Sequence, residues 1–121
     1  SGYGTNGGWP PANILSKYGL NGFSQPSGIT GIYWTDVKNY KYQNTFAQAL
    51  VINFSGTIAT SNAIKNYFNN NNSWESYQEQ GSSSGSAYIY RSSPDKAVIY
   101  QDYGSSGMLI AYLGLNLFQD D

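Results

Sequence analysis

The chain has 121 residues and a formal net charge of −1, and it contains neither cysteine nor histidine. This length predicts one domain with a core of its own. The missing residue types exclude Ser-His and Cys-His nucleophiles and a zinc site with the usual ligands, and the near-neutral charge provides no basic patch for nucleic acid. No stretch reaches the roughly 18 consecutive apolar residues of a membrane-spanning helix.

The first eight residues include four glycines, and we expect residues 1–8 to form a flexible leader or tether before a single domain at 9–121. Only 11% of the residues are charged, and tyrosine alone contributes 12 residues. A surface of Tyr, Asn, Ser and Gln favours an exported protein. We therefore predict an extracellular or cell-envelope location, with a targeting segment removed before Ser1.

The hydrophobic pattern predicts an element order of αββαββββ. The periodic segments are a helix at 11–18, a strand at 29–42 with an irregularity near 36–39, a strand at 46–54, a helix at 60–69, strands at 74–80 and 87–91, and a hairpin at 96–118. Thr60 or Ser61 is the expected N-cap of the second helix. The hairpin turns at 104–107, a Gly-Ser-Ser-Gly sequence.

Strands grouped around few helices are typical of an α+β fold. We predict a single twisted antiparallel sheet of four to six strands, with two short helices packed on one face. The strand at 46–54 alternates large and small residues, which indicates a half-buried strand. The residues expected to be buried together are Phe54, Ile64, Phe68, Leu109, Leu113 and Leu115.

Carboxylate pairs are the remaining route to acid–base catalysis. The candidates are Asp36, Glu75, Glu79, Asp95 and Asp102, with Glu75 and Glu79 on one strand face. The alternative places these side chains in turns or at protected sheet edges. Calcium ligation by Asp95, Asp120 or Asp121 would lack the spacing of a known calcium loop. We expect no catalytic residue, no metal and no cofactor.

The aromatic residues are too numerous for one core of this size. In the strand at 87–91, Tyr88 and Tyr90 alternate with Ala87 and Ile89. If Ala87 and Ile89 face the helices, the tyrosines face outward, and Tyr100 joins them across strands. Large, rigid, amphipathic rings are favoured in recognition surfaces. The predicted binding residues are Tyr88, Tyr90, Tyr100, Tyr77 and Trp34. The alternative, that cross-strand aromatic pairs only stabilise the sheet, stays open.

Three sequence segments carry a resemblance: W-P-P-x-x-I-L-x-K-Y-G-L, then Q-P-S-G, then N-A-I-K-N-Y-F before a hairpin-rich end. In these three segments the chain resembles small exported or lipid-anchored bacterial domains of unknown function. From Trp9 to Phe118 it is similar in outline to the helix-plus-sheet unit of β-lactamase inhibitory proteins, although it lacks their cysteines. The resemblance implies a protein-binding sheet face and transfers no catalytic residue.

These observations favour a non-catalytic binding or interaction module that uses a tyrosine-rich sheet face. Its expected partner is a protein or a cell-envelope glycan, and the oligomeric state stays open. One alternative is a carbohydrate-active enzyme or a sugar-binding accessory domain. Another is a structural domain attached to a larger assembly.

Overall fold

A computed structural model describes residues 6–92 and 94–117, so residues 1–5 of the predicted leader and the acidic residues Asp120 and Asp121 lie outside it. The chain forms seven strands and two helices in this part. The elements are β1 (Asn6–Gly7), α1 (Ala12–Lys17), β2 (Thr30–Tyr42), β3 (Thr45–Ser55), α2 (Ile58–Asn69), β4 (Glu75–Ser82), β5 (Gly85–Ser92), β6 (Lys96–Asp102) and β7 (Ser106–Leu113).

All seven strands belong to one antiparallel sheet in the order β1-β2-β3-β7-β6-β5-β4. The predicted α+β fold with a single antiparallel sheet is confirmed, but the sheet exceeds the four to six strands expected. The additional strand is β1, whose two residues pair with Trp34 and Tyr33 of β2. A two-residue strand is too short to leave a periodic pattern in the sequence.

The side chains of β3 show how alternation divides the sheet into two faces. Leu50, Ile52 and Phe54 face the helices, whereas Ala47 and Ala49 face the opposite side. We call these the helix-covered face and the helix-free face. In β2, the predicted irregularity is confirmed as a register shift between Val37 and Tyr40.

Helix α2 begins two residues before its predicted start, because its cap is Thr57 rather than Thr60 or Ser61. Thr57 and Thr60 form a capping box, in which each side chain binds the other residue's backbone N–H. The Thr60 hydroxyl also donates a 2.6 Å hydrogen bond to the Ser27 carbonyl. This bond fastens the first turn of α2 to the loop before β2.

The core between the helices and the sheet contains Phe54, Ile64, Phe68 and Leu109, as predicted, and Leu113 packs against it. The expectation for Leu115 is wrong, since it belongs to the apolar cluster on the helix-free face. Gly114 has a φ of +97°, which interrupts the strand after Leu113. The second strand of the hairpin predicted at 96–118 therefore ends at Leu113, just before this glycine.

Candidate binding surface

The three tyrosines predicted to face outward, Tyr88, Tyr90 and Tyr100, lie on the helix-covered face of the sheet. Tyr90 and Tyr100 are only 2% and 1% exposed and form part of the core beneath α2. Tyr88 packs against the same core and is half-buried. The expectation that these three rings face outward is wrong, because Ala87 and Ile89 occupy the helix-free face instead. Burial raises the pKa of Tyr90 and that of Tyr100 to about 12.

The two other predicted binding residues lie on opposite faces. Trp34 packs against the helix-covered core and is half-buried. Tyr77 is 41% exposed, and the Arg91 guanidinium lies 4.1 Å from its ring centroid. The five predicted residues therefore do not form one surface.

The helix-free face carries an apolar band across the middle of the sheet. Val51, Ile110, Ile99 and Ile89 lie opposite one another in β3, β7, β6 and β5. The chain after β7 turns back onto this face, where Leu115 and Leu117 join the same apolar cluster. The Arg91 guanidinium donates to the Leu117 carbonyl and fixes this segment to β5.

Beside this band, towards the ends of β3 and β6, a more polar row crosses six strands. From β2 to β4 its members are Tyr33, Asn53, Met108, Gln101, Ala87 and Gln80, each opposite the next. We call this line of residues the Tyr33 row. Tyr33 is 48% exposed, and Asn53 and Gln101 are half-buried. The row thus offers one aromatic ring and three side-chain amides on an open face.

Tyr103 adds a second ring to this surface. It follows β6 two residues after Gln101, and its hydroxyl donates a hydrogen bond to the Gln101 side-chain oxygen. Its ring is also 48% exposed. We call the combination of Tyr103 and the Tyr33 row the tyrosine platform.

Tyr103 contributes to two shallow pockets. One, of about 280 Å³, includes Gln80, Gln101 and three serines at or beside the β4–β5 turn, Ser82, Ser84 and Ser86. The other, of about 270 Å³, includes Tyr33, Asn53 and Met108. All the residues that line these two pockets are uncharged. The platform is therefore a neutral surface that combines aromatic rings, amides and hydroxyls.

Four of the five candidate carboxylates, Asp36, Glu75, Asp95 and Asp102, contact hydroxyl or cationic side chains instead of one another. Asp36 accepts hydrogen bonds from Lys17, at 2.5 Å, and from the Tyr18 hydroxyl, and it also interacts with Gln48. Burial acts to raise the pKa of Asp36, but these hydrogen bonds and the Lys17 charge outweigh it and lower the pKa. Burial and the Asp36 carboxylate together raise the pKa of Tyr18.

Glu75 and Glu79 do not share a face, contrary to the prediction. A register shift between Ser76 and Gln78 separates them. Glu75 forms a 2.7 Å ion pair with Arg91 on the helix-free side, and Glu79 lies opposite Tyr88 on the other side. Asp95 lies 3.8 Å from the Lys96 ammonium. No group of three or more Asp, Glu, Cys or His side chains suited to a metal ion occurs in residues 6–92 and 94–117.

Asp102 connects the end of β6 to α2. It accepts a 2.6 Å hydrogen bond from the Ser61 hydroxyl and a 2.9 Å bond from the Gly104 amide. Ser61 is only 6% exposed. The role of the buried Ser61 hydroxyl is structural, because its hydrogen bond to Asp102 satisfies a polar group that has little access to water. This cluster therefore fastens the helix to the sheet.

Comparison with known proteins identified no relative of this chain. No protein-family model matches the chain, and neither the curated proteins nor the solved structures include a significant match. Within the part of the chain that is described, no helix is long and apolar enough to cross a membrane.

Sequence reasoning missed the residues that make up the tyrosine platform. In the sequence, Ala97, Ile99 and Tyr103 occupy odd-numbered positions of the segment 97–103, and Val98, Tyr100 and Asp102 occupy even-numbered ones. Gln101 falls between Ile99 and Tyr103 on the same face. The signal was therefore present, and the error lay in assigning the helices to that face.

Proposed function

We propose that this chain is a non-catalytic binding module that recognises its ligand with the tyrosine platform on the helix-free face of the sheet. The observation that carries the proposal is the pair of tyrosine rings, Tyr33 and Tyr103, each 48% exposed on a neutral surface. Exposed tyrosine supplies a large contact area at a low cost in side-chain entropy.

The polar groups elsewhere support a binding role over a catalytic one. Asp36, Asp102 and Glu75 each form a short bond that joins two elements of the fold. A general acid or base needs access to a substrate proton. Asp36 and Asp102 serve instead to join α1 and α2 to the sheet, and Glu75 joins β4 to β5.

The composition supports an extracellular or cell-envelope setting. Neutral polar side chains replace much of the usual charged surface, and charged residues make up 11% of the chain. The ligand in that setting is a protein or a glycan of the envelope. Both would meet the helix-free face, because α1 and α2 cover the opposite one.

The proposal is tested by co-sedimentation of the protein with purified bacterial cell envelopes. The double variant Tyr33→Ser/Tyr103→Ser removes both exposed rings of the platform. The matched control is Phe46→Ser, which removes a ring that is 63% exposed at the opposite end of β3. We expect the wild-type protein and the control to sediment with the envelopes and the double variant to stay in solution. Equal sedimentation of all three proteins, or none, would contradict the proposal.

A further inference from the structure

The arrangement of the tyrosine platform carries information about the shape of its ligand. Tyr33 lies on β2 and Gln101 on β6, with β3 and β7 between them. Strands β2 and β6 are three inter-strand spacings apart, which corresponds to about 14 Å. The pockets continue beyond Gln101 to Gln80 on β4. A ligand that uses both tyrosines and the β4 side must therefore be extended and run across the strands.

The chemistry of the platform carries information about the class of ligand. Asn53, Gln101 and Gln80 present amides, which both donate and accept hydrogen bonds. Ser55 and Ser106 add hydroxyls at one pocket, and Ser82, Ser84 and Ser86 add hydroxyls at the other. This set matches a ligand whose own groups are hydroxyls, since each hydroxyl also donates and accepts.

The two rings complete that match. The face of a tyrosine ring carries negative charge density and attracts the slightly positive hydrogens of C–H groups. A pyranose ring presents such C–H groups on its flat faces and hydroxyls around its rim. Rings at 48% exposure, flanked by amides, fit both parts of a sugar.

Other ligand classes fit the platform less well. Nucleic acid and anionic lipid require lysine or arginine at the contact, and no charged residue lines either pocket. A peptide that adds a strand binds a sheet edge through backbone groups, whereas the platform lies on a face. A protein interface needs an apolar core, and the apolar band beside the platform offers none, because Ile99 and Ile110 are only 9% and 4% exposed.

From these observations we infer that the ligand of the tyrosine platform is a neutral, extended glycan that lies across the strands from Tyr33 to Gln80. The inference rests on the proposed binding function and specifies its ligand class. Tyr33 and Tyr103 stack on sugar rings, and Asn53, Gln101 and Gln80 bind hydroxyls. Because the contact is uncharged, its affinity is insensitive to salt.

Affinity electrophoresis tests the inference with defined probes. The neutral polysaccharides are β-glucan, xylan, glucomannan and soluble chitin oligomers, and the charged ones are polygalacturonate and heparin. We expect at least one neutral polysaccharide to retard the protein, with no change on addition of salt. Tyr33→Ala and Tyr103→Ala should each weaken this binding about tenfold or more, as expected for aromatic anchors.

Two further variants make the test specific. Tyr77→Ala removes a ring of similar exposure from the helix-free face outside the pockets, and it should leave binding unchanged. Gln101→Leu keeps the side-chain volume but removes the amide, and it should weaken binding without lowering the melting temperature. Retardation only by polygalacturonate or heparin, or equal retardation of wild type and both tyrosine variants, would overturn the inference.

Treatment of the cell envelopes separates failure of this inference from failure of the proposed function. Periodate destroys the vicinal diols of sugars, and proteinase K destroys proteins. Binding that depends on Tyr33 and Tyr103, survives periodate, is lost after proteinase K and is not competed by any of the neutral polysaccharides would overturn the glycan assignment and leave the binding module intact. Binding that is independent of both tyrosines would overturn both.

Discussion

Tyr90 of β5 and Phe68 of α2 stack with their ring centroids 4.3 Å apart and their planes at 10°. The contact joins the second helix to the sheet near the centre of the core. It also explains why Tyr90, which looks like a surface residue in the sequence, is almost fully buried.

Truncation of Tyr90 should therefore destabilise the protein severely. Tyr90→Ser removes a ring that packs against Phe68, and large-to-small aromatic changes of this kind cost about 3–5 kcal/mol. Tyr103→Ser is the matched control, since its ring is 48% exposed and should change the stability by less than about 0.5 kcal/mol. Urea denaturation measures both. Similar midpoints for the two variants would show that the core is assigned wrongly.

Low pH should destabilise the protein by protonating Asp36, the β2 carboxylate that binds Lys17 of α1. The folded state lowers the pKa of this carboxyl, so its stabilising contribution is present above the unfolded value of about 3.9 and is lost as the pH falls below it. Asp36→Asn should be less stable at neutral pH and depend less on pH below about 4. Parallel curves for the two proteins, measured by urea denaturation across this range, would count against the assignment.

Alkali should unfold the protein through its buried tyrosines. Burial raises the pKa of Tyr90 and that of Tyr100 to about 12, above the ordinary phenol value of about 10. Their contribution to stability is complete below about pH 10 and is lost as the pH rises towards 12. Absorbance at the tyrosinate band should show a late group of tyrosines that ionises together with loss of circular dichroism. Ionisation of all the tyrosines in a single transition near pH 10, without loss of circular dichroism, would refute the burial of Tyr90 and Tyr100.

Gly28 should be more sensitive to substitution than Gly22. Both have positive φ, +74° and +71°, so alanine at either site costs about 1–2 kcal/mol in backbone strain. A Cβ at position 28 would also lie 2.5 Å from the Thr57 hydroxyl, whereas position 22 has no atom within 4 Å. Gly28→Ala should therefore disturb the α2 capping box and cost about 1 kcal/mol more than Gly22→Ala. Equal melting temperatures would contradict this.

Much of the fold could be predicted because the strands alternate cleanly. In β3, the division between Leu50, Ile52 and Phe54 on one side and the alanines on the other follows directly from the sequence. The location of α2 follows from the stripe that contains Ile64 and Phe68. The two-residue strand β1 could not be predicted, because its pairing with β2 depends on the tertiary fold.

The binding surface could not be located because alternation divides a strand without saying which side the helices cover. In β5 and β6, both faces carry large apolar or aromatic residues, Ile89 and Ile99 on one and Tyr90 and Tyr100 on the other. Aliphatic residues are buried more often than tyrosine, which favours the wrong face. The irregularity between Ser76 and Gln78 similarly has no sequence signal and separates Glu75 from Glu79.

The pairing of β3 with β7 at the centre of the sheet has a consequence for folding kinetics. Asn53 lies opposite Met108, so this ladder joins segments from the two halves of the chain. The β2–β3 and β6–β7 hairpins involve only local contacts, but neither completes the core alone. Non-local pairing of this kind slows folding, typically to the range of about milliseconds to seconds. The two hairpins should therefore form early, and their docking along β3 and β7 should be the step that limits the rate.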